Sequence, residues 1–384
     1  NVNAQNKNGT TALQIACRNN DYELTELLLG SGASININDK HNKNVLHYAS
    51  ESKKNNRDII KLLHEKNIGV NVQDKYGTTA LQFACLEGVY ENAKILLYFR
   101  ASVNIKDENN NNALHYAIKS GRNNQDIIQL LIDNGIDLNT RNKNGTTALH
   151  LACLEGINAN VQMLLDSGTL INIMDKDQNN ALHYASESMN NNVHVMKLLI
   201  EKGIHVNDQN KYGTTALQIA CLEGVYENAK ILLDCGASIN IANNANNNAL
   251  HFASESKKDN RGVIKLLIEK GIDVNAQNEN GKTALQFACL EGIYENAEML
   301  LNSGASIGIT DEDNNNALHY ASSAENVNRS LIKLLIDKGI YINAQNKNGM
   351  TALQLARLEG IQENVQMLLN LGASGNRIDK VKKD

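Results

Sequence analysis

The chain lacks proline and tryptophan altogether, and aromatic residues make up only 4% of its 384 residues. Asparagine is correspondingly abundant, with about 60 copies, so the composition lies far from that of an average globular protein. Even so, 42% of the residues are hydrophobic, and they recur with a strict period. This combination argues against a disordered chain.

Long apolar runs, basic stretches and linkers are also missing. No apolar run approaches the length of about 18 residues that indicates a transmembrane helix, so we expect no membrane span. The formal net charge is -5 and the sequence has no basic stripe, which disfavours nucleic acid and anionic membranes as partners. No linker interrupts the pattern, so we expect one continuous array instead of several globular domains.

The chain is a tandem repeat with a period of 68 residues. Residues 77–97, GTTALQFACLEGVYENAKILL, match residues 213–233 at every position except Phe83 and Ile219. One leucine recurs at alternating steps of 33 and 35 residues and defines eleven repeats, numbered here 1 to 11. These leucines are Leu13, Leu46, Leu81, Leu114, Leu149, Leu182, Leu217, Leu250, Leu285, Leu318 and Leu353. The even repeats carry two additional residues between their two apolar segments.

Each repeat contains two apolar patterns with helical spacing. In repeat 3, Ala80, Leu81, Ala84 and Cys85 share one face of a short helix, and Thr79 precedes it as an N-cap. A second helical stripe follows, and in most repeats the glycine after it predicts a left-handed C-terminal cap. A short β-branched segment and an Asn/Gly-rich turn lead into the next repeat. Helices this short are marginal alone, so neighbouring repeats must bury their apolar faces.

The helix entry reads Thr or Asn, Ala or Val, Leu, His or Gln, any residue, Ala, and it resembles the ankyrin repeat family over essentially the whole chain. The resemblance implies an all-α solenoid of stacked helix-turn-helix units with short β-hairpin or turn fingers. The chain departs from the family at two positions. Ala80 and its counterparts stand where the family has a proline, and Gln82 and its counterparts in most odd repeats stand where the family has a histidine. Alanine favours helix and glutamine can donate and accept hydrogen bonds, so we expect the fold to survive both changes.

The boundaries of the array are also predicted. We expect residues 1–374 to form about eleven repeats and residues 375–384 to form a polar C-terminal tail. The last repeat carries Arg357 where other odd repeats carry a cysteine, which is typical of a terminal cap. The chain opens inside a turn and its first repeat has no such polar replacement, so we expect the array to be truncated at its N-terminus.

Cysteine and histidine also follow the period, which argues against an active site. Five cysteines recur every 68 residues, roughly 20 Å apart in a helix stack and beyond disulfide reach. They are Cys17, Cys85, Cys153, Cys221 and Cys289. We interpret them as buried thiols of a reducing compartment and expect a cytoplasmic protein. The repeated histidines are too far apart to share a metal ion. We expect no catalytic residue, cofactor, metal or small-molecule substrate.

The resemblance implies that turn tips and the exposed end of the first helix face a partner. Tyr76 and Tyr212 stand at two turn tips, either as aromatic anchors or as solvated decoration. A leucine followed by a glutamate ends the first helix of five odd repeats, with Leu358 as the last leucine of the row and Arg18 in its place in repeat 1, and four of these pairs are candidate contact residues. These pairs are Leu86 and Glu87, Leu154 and Glu155, Leu222 and Glu223, and Leu290 and Glu291. The leucine row is either a contact row or a cover over the longer even repeats.

The pattern predicts a non-enzymatic scaffold that binds partner proteins through turn tips and first helices. Suitable partners include proteins that are themselves repetitive and a second copy of this chain. Matching surface residues vary little between repeats, which motivates a structural alternative: a spacer or a self-assembling filament component. A third hypothesis is a targeting module of a larger protein whose enzyme domain lies upstream. Recent duplication accounts equally for the uniform surface.

Overall fold

The computed structural model describes residues 1–324 and 327–374, and in these ranges each repeat contributes a first helix, a second helix and a turn. The first helices are Ala12–Asn19, Val45–Ser50, Ala80–Glu87, Ala113–Lys119, Ala148–Glu155, Ala181–Glu187, Ala216–Glu223, Ala249–Glu255, Ala284–Glu291, Ala317–Ser323 and Ala352–Leu358. The second helices are Tyr22–Gly30, Arg57–Glu65, Tyr90–Tyr98, Gln125–Asp133, Asn158–Asp166, Val193–Glu201, Tyr226–Asp234, Arg261–Glu269, Tyr294–Asn302, Arg329–Asp337 and Gln362–Asn370. The polar tail predicted at 375–384 lies outside the described residues.

The chain divides into two compact halves, residues 1–185 and residues 186–384. Within each half, the first helices of successive repeats pack side by side, and so do the second helices. The leucine that defines each repeat is buried throughout, and the residue before it is a buried alanine in nine repeats and the buried Val45 in repeat 2, whereas Ala12 of repeat 1 is exposed. The predicted all-α stack of helix-turn-helix repeats is therefore confirmed.

The first helix of each repeat starts with a capping box. In repeat 3 the Thr79 hydroxyl accepts from the Gln82 N–H, and the Gln82 Oε1 accepts from the Thr79 N–H at 2.7 Å. This confirms Thr79 as the N-cap and satisfies two N–H groups that a helix start leaves unpaired. At the end of the second helix, Gly168, Gly236 and Gly304 adopt φ of 87°, 92° and 93°, as predicted from the position of the glycine.

The residue that closes the capping box also joins neighbouring repeats. His47 lies in the first helix of repeat 2, and its Nε2 lies 3.1 Å from the Val72 carbonyl and 3.2 Å from the Thr78 carbonyl of the following turn. Its Nδ1 accepts the Asn44 N–H, so the imidazole is neutral with its proton on Nε2. In repeat 3, Gln82 Nε2 donates to the Ile105 and Asn111 carbonyls, both at 3.0 Å. Glutamine thus makes the bridge that histidine makes in even repeats.

The β-branched segments, such as residues 237–241, form no strand within the described residues, so the predicted hairpin or turn fingers take the form of turns. The only ladder contacts there are isolated bridges such as Gln73 with Thr79. Asparagine side chains connect these segments instead: the Ser238 N–H donates to Asn207 Oδ1 at 2.8 Å, and the Ser102 N–H donates to Asn71 Oδ1 at 2.8 Å. A side-chain acceptor satisfies the backbone, so no continuous backbone pairing is needed.

A buried asparagine pair explains why even repeats are two residues longer. Asn56 lies in the longer loop of repeat 2, and its Nδ2 donates to the Cys17 carbonyl at 2.6 Å and the Ala49 carbonyl at 2.8 Å. The Asn56 N–H donates in turn to Asn92 Oδ1 at 2.7 Å, and Asn92 Nδ2 donates to the Lys54 carbonyl at 3.1 Å. Both asparagines are fully buried, and the same pairing recurs at Asn260 with Asn296.

Replacing Asn92 with alanine removes a donor and an acceptor and leaves the Asn56 N–H and the Lys54 carbonyl without partners. We expect a loss of about 3 kcal/mol in the free energy of unfolding, measured by urea denaturation. The neighbouring Glu91→Ala variant is the control, because it removes only the exposed Arg57–Glu91 pair at 3.6 Å and should cost less than about 1 kcal/mol. Equal losses in the two variants would contradict the role of the buried pair.

The buried histidines make stability depend on pH. Burial lowers the pKa of the His115 imidazole from 6.5 to about 4. Between pH 6.5 and 4 the His115 imidazole binds a proton in the unfolded chain but not in the folded chain. The free energy of unfolding therefore falls as the pH falls toward 4. Between pH 7 and 5 this single group accounts for about 2 kcal/mol.

We expect His115→Gln, which copies the odd repeats, to fold and to lose that share of the pH dependence. Urea denaturation of both proteins at pH 7 and pH 5 measures the difference. An unchanged difference between the two pH values in the variant would show that His115 is not the titrating group.

Candidate functional site

The candidate site is the surface formed by the turn tips and the exposed positions of the first helices, here called the groove face. Each tip is held by its own aspartate or asparagine: Asp74 Oδ1 accepts from the N–H groups of Tyr76 and Thr78 at 2.8 and 2.9 Å. Neighbouring tips are joined by backbone bonds, since the Lys75 N–H donates to the His41 carbonyl and the Glu108 N–H donates to the Tyr76 carbonyl. The tips of each half therefore form a hydrogen-bonded row that presents its side chains in fixed positions.

Close approach of the tips explains the glycine in the odd repeats. Gly77 has φ of 77°, and a Cβ built on it would lie 2.9 Å from the Glu108 nitrogen of the next tip. A side chain at this position would therefore meet both a disfavoured backbone conformation and a backbone contact shorter than van der Waals distance.

The two predicted tip tyrosines are exposed, Tyr76 by 49% and Tyr212 by 52%. The Tyr76 ring stacks on the His41 ring of the preceding tip, with centroids 5.9 Å apart and an interplanar angle of 25°. The Lys211 ammonium lies 5.1 Å from the centroid of the Tyr212 ring. Both rings are thus pre-positioned by a neighbour and still offer half their surface to solvent, which is the arrangement of an anchor residue. Their role in binding stays a prediction.

The predicted leucine row is half-buried at Leu86, Leu154, Leu222 and Leu290. Leu358, in the last repeat, is 67% exposed. In the C-terminal half, Leu222 and Leu290 are followed by a further described repeat and are less exposed than Leu358. We infer that the following repeat covers part of each of these leucines. Half-burial is compatible with both interpretations of the row, so its role as a contact row stays a prediction.

The glutamates that follow these leucines, Glu87, Glu155, Glu223 and Glu291, are half-buried. At Glu87 and Glu223 a cation from the longer loop of the next repeat caps the end of the helix. Arg122 Nη1 donates to the Glu87 carbonyl at 2.7 Å, and Lys258 Nζ donates to the Glu223 carbonyl at 3.1 Å. A cation is favoured there because the end of a helix carries partial negative charge. Basic residues of the even loops therefore stabilise helix ends.

A further row on the groove face was missed by the sequence reasoning. It is the residue four positions after the N-cap of each first helix, and its members are large apolar or aromatic residues. They are Ile15, Tyr48, Phe83, Tyr116, Leu151 and Tyr184 in the N-terminal half, and Ile219, Phe252, Phe287, Tyr320 and Leu355 in the C-terminal half. Ile15 is exposed nearly as much as the tip tyrosines, at 46%, and the other members of the row are half-buried or buried.

Hydrogen bonds fix the tyrosines of this row against the tips. The Tyr48 hydroxyl donates to Asp39 Oδ2 at 2.7 Å and lies 3.1 Å from Thr10 Oγ1. In repeat 8 the tyrosine is Phe252, and the aspartate is replaced in the same repeat by Asn243. Among the even repeats the hydroxyl and the carboxylate are thus lost together, whereas repeat 3 keeps a buried Asp74 although Phe83 stands at the tyrosine position. This joint change, seen among the even repeats, is a signal in the sequence that links the aspartate of the tip to the tyrosine of the row.

Charged groups border the apolar row. The Lys43 ammonium lies 4.4 Å from the centroid of the Phe83 ring and forms an ion pair with Glu51. A groove of about 580 Å³ lies between the tips and the first helices of repeats 1 and 2, and Lys43, Tyr48 and Glu51 are among its lining residues. In the C-terminal half, burial and the nearby charge of Glu291 raise the pKa of Glu255. The groove face thus combines an apolar floor with charged borders, as protein interfaces do.

Groups with potential chemistry are occupied or buried. Among residues 1–324 and 327–374, no cluster of three or more His, Cys, Asp or Glu side chains is placed to hold a metal ion. Burial raises the pKa of the Cys17 thiol to about 12 and that of Cys85 further, so neither provides a thiolate nucleophile. No helix in the described part of the chain has the length and apolar character needed to cross a membrane.

Comparison with known proteins supports the repeat assignment. A family model described as ankyrin repeats (3 copies) matches overlapping segments from one end of the chain to residue 379. These segments are residues 1–74, 52–142, 100–175, 122–210, 167–243, 197–278, 241–311 and 303–379.

Similar curated proteins share the repeats over part of their length. The neurogenic locus notch homolog protein 1 of Homo sapiens is 33% identical over 39% of this chain and 6% of its own length. The E3 ubiquitin-protein ligase XBAT33 of Arabidopsis thaliana is 31% identical over 43% of this chain and 38% of its own length. A transient receptor potential cation channel subfamily A member 1 homolog of Caenorhabditis elegans is 30% identical over 44% and 14%. The chain therefore spans well under half the length of each of these relatives.

A solved structure has the same fold. The crystal structure of the human ASB11 ankyrin repeat domain is 26% identical in sequence, with a TM-score of 0.53, and the match covers 60% of this chain and 100% of that domain. With the family model matching essentially the whole length, the chain belongs to the ankyrin repeat family.

Proposed function

We propose that the chain is a non-enzymatic scaffold that binds partner proteins through its groove face. The observation that carries this proposal is the combination of exposed tip tyrosines with an apolar row on a hydrogen-bonded frame. Aromatic side chains that are already positioned bind with little loss of conformational freedom. The named relatives include a ubiquitin-protein ligase and a cation channel homolog, and what they share with this chain is confined to the repeats. Because these relatives differ so much, we infer that the shared repeats serve protein–protein interaction.

The mode of binding follows from the period. Positions on the groove face recur within each half, so a partner with its own repeated motif can engage several of them at once. The second and later contacts then form at a high effective concentration and raise the overall affinity. A second copy of this chain is one such partner, and this is the basis of the filament alternative.

We also propose a reducing compartment, such as the cytoplasm, as the site of action. The supporting observation is that all six cysteines are free and five of them are buried. Thiols at separated positions in the core are compatible with a reducing environment, where no disulfide is needed.

Replacing Tyr212 with alanine tests the tip anchors. We expect direct partners, captured on the immobilised chain and then measured by calorimetry, to bind at least tenfold more weakly to this variant, since aromatic anchors contribute about 2 kcal/mol or more. Tyr226→Ala is the matched control, because Tyr226 is 39% exposed but lies on a second helix. If both variants bind every captured partner as the parent chain does, the groove face is not the binding surface.

Light scattering after size exclusion separates the scaffold from the self-assembling filament. For a scaffold we expect the monomer mass at all concentrations over about a hundredfold range. For a filament, the mass rises with concentration, and Leu222→Glu should reverse the rise by placing a charge in the apolar row. The substitution copies the even repeats, which have Glu51 and Glu255 at the equivalent position, so it should not unfold the repeat. Growth of the mass in the parent chain would contradict the monomeric scaffold.

A further inference from the structure

The uniform array is interrupted at one place on its second helices. Repeats 3 and 7 differ at a single position over residues 77–97 and 213–233, and then diverge completely over the next three residues. Repeat 3 has Tyr98, Phe99 and Arg100, whereas repeat 7 has Asp234, Cys235 and Gly236. The other odd repeats also have small or polar residues followed by glycine, except for Leu371 in the last repeat.

The preceding repeat changes at the position that contacts this segment. His64 stands where the other even repeats have isoleucine, at Ile132, Ile200, Ile268 and Ile336. The His64 and Phe99 rings are stacked, with centroids 3.7 Å apart and an interplanar angle of 15°. Two adjacent repeats therefore depart from the consensus together and in direct contact, which random drift at single positions does not explain.

The interruption also carries backbone strain. Arg100 has φ of 65°, a conformation that disfavours side chains, and the equivalent residue in every other odd repeat is glycine. In repeat 2, Asn67 with φ of 62° likewise replaces the glycine of the other even repeats. Strained positions that a structure retains often serve a function.

The segment exposes an aromatic ring beside a small pocket. Tyr98 is 78% exposed, the highest value for a large hydrophobic side chain in the described ranges, and its ring packs edge-on against Phe99 at 5.4 Å. The pocket has a volume of about 300 Å³ and lies between the second helices of repeats 2 and 3. Its lining consists of Arg57, Lys61, Glu91, Lys94, Ile95, Tyr98 and Phe99.

The charges around this pocket are unbalanced toward positive. Glu91 is its one acidic lining residue, and it pairs with Arg57 at 3.6 Å. Lys94 lies 5.3 Å from the Tyr90 ring centroid, and neither it nor Lys61 forms an ion pair with any described residue. Two ammonium groups thus remain beside an aromatic and aliphatic surface in a chain whose net charge is -5.

We propose that this pocket, the aromatic pocket of repeats 2 and 3, binds an acidic peptide segment of a partner protein. An apolar or aromatic side chain of that segment packs against Tyr98, Phe99 and Ile95, and its carboxylates pair with the two lysines. Charge complementarity sets the orientation and buried aromatic contact supplies the affinity. The site lies on second helices and is independent of the groove face.

Calorimetry with defined peptides tests the proposal on the full chain. The probes are two short peptides of glutamates around one central phenylalanine or leucine, and a control peptide with lysines in place of the glutamates. We expect saturable binding of at least one acidic peptide and no binding of the basic one. Saturable binding of neither acidic peptide at millimolar concentration, or stronger binding of the basic peptide, would overturn the proposal.

Variants taken from other repeats of the same chain locate the binding. The double variant Tyr98→Asn and Phe99→Ser copies Asn302 and Ser303 of repeat 9 without changing the charge, so it should fold. We expect it to raise the dissociation constant of the acidic peptide at least tenfold, and Lys94→Glu, which copies Glu298, to raise it severalfold.

Lys230→Glu in repeat 7 is the matched charge control, because Lys230 occupies the position of Lys94 beside Asp234 and Cys235. It should leave the affinity unchanged. Equal effects of Lys94→Glu and Lys230→Glu would indicate attraction to the whole chain and would overturn the pocket. The groove variant Tyr212→Ala should have no effect on this peptide, so failure of either surface is distinguishable from failure of the other.

Discussion

One hydrogen-bonded bridge joins neighbouring repeats: the side chain at the third position of the first helix binds its own helix start and the turn of the next repeat. His47 does this with a neutral imidazole and Gln82 with an amide. Because both atoms of the bridge are buried, leaving either without a partner costs more than the bond itself contributes. This explains why the position accepts only side chains that can donate and accept at the same spacing.

The alternation of repeat lengths has a similar origin. A longer even loop allows Asn56 to reach the carbonyl ends of two first helices, and Asn92 of the next repeat then satisfies the Asn56 backbone. The network therefore joins an odd repeat, the following even repeat and the next odd repeat, and it recurs at Cys221, Asn260 and Asn296. Two repeats of one kind would leave part of this network without partners, which is a physical reason for the strict alternation.

Uniformity and its interruption have different meanings for function. On the groove face, rows of equivalent residues suit a repeated partner or many weak contacts. At repeats 2 and 3, His64, Phe99 and Arg100 depart from the repeats around them and accept an unfavourable backbone conformation. A surface that differs from all its copies is suited to one specific contact. The two proposed surfaces lie on different helices, so the two proposals predict that their partners bind independently of each other.

The sequence alone determined the repeat length, the two helices, their caps and the burial of the leucines, because these follow from local spacing and from side chains that act within one repeat. It also located the tip tyrosines. The tertiary structure alone decided what depends on contacts between repeats: the Asn56–Asn92 pair, the contact of the Tyr48 hydroxyl with Thr10, and the His64–Phe99 stack. Residues 35 or so apart meet only after stacking, and no pattern within one repeat identifies such a partner. The same limit applies to the β-branched segments, where asparagine side chains from the preceding repeat satisfy the backbone in place of strand pairing.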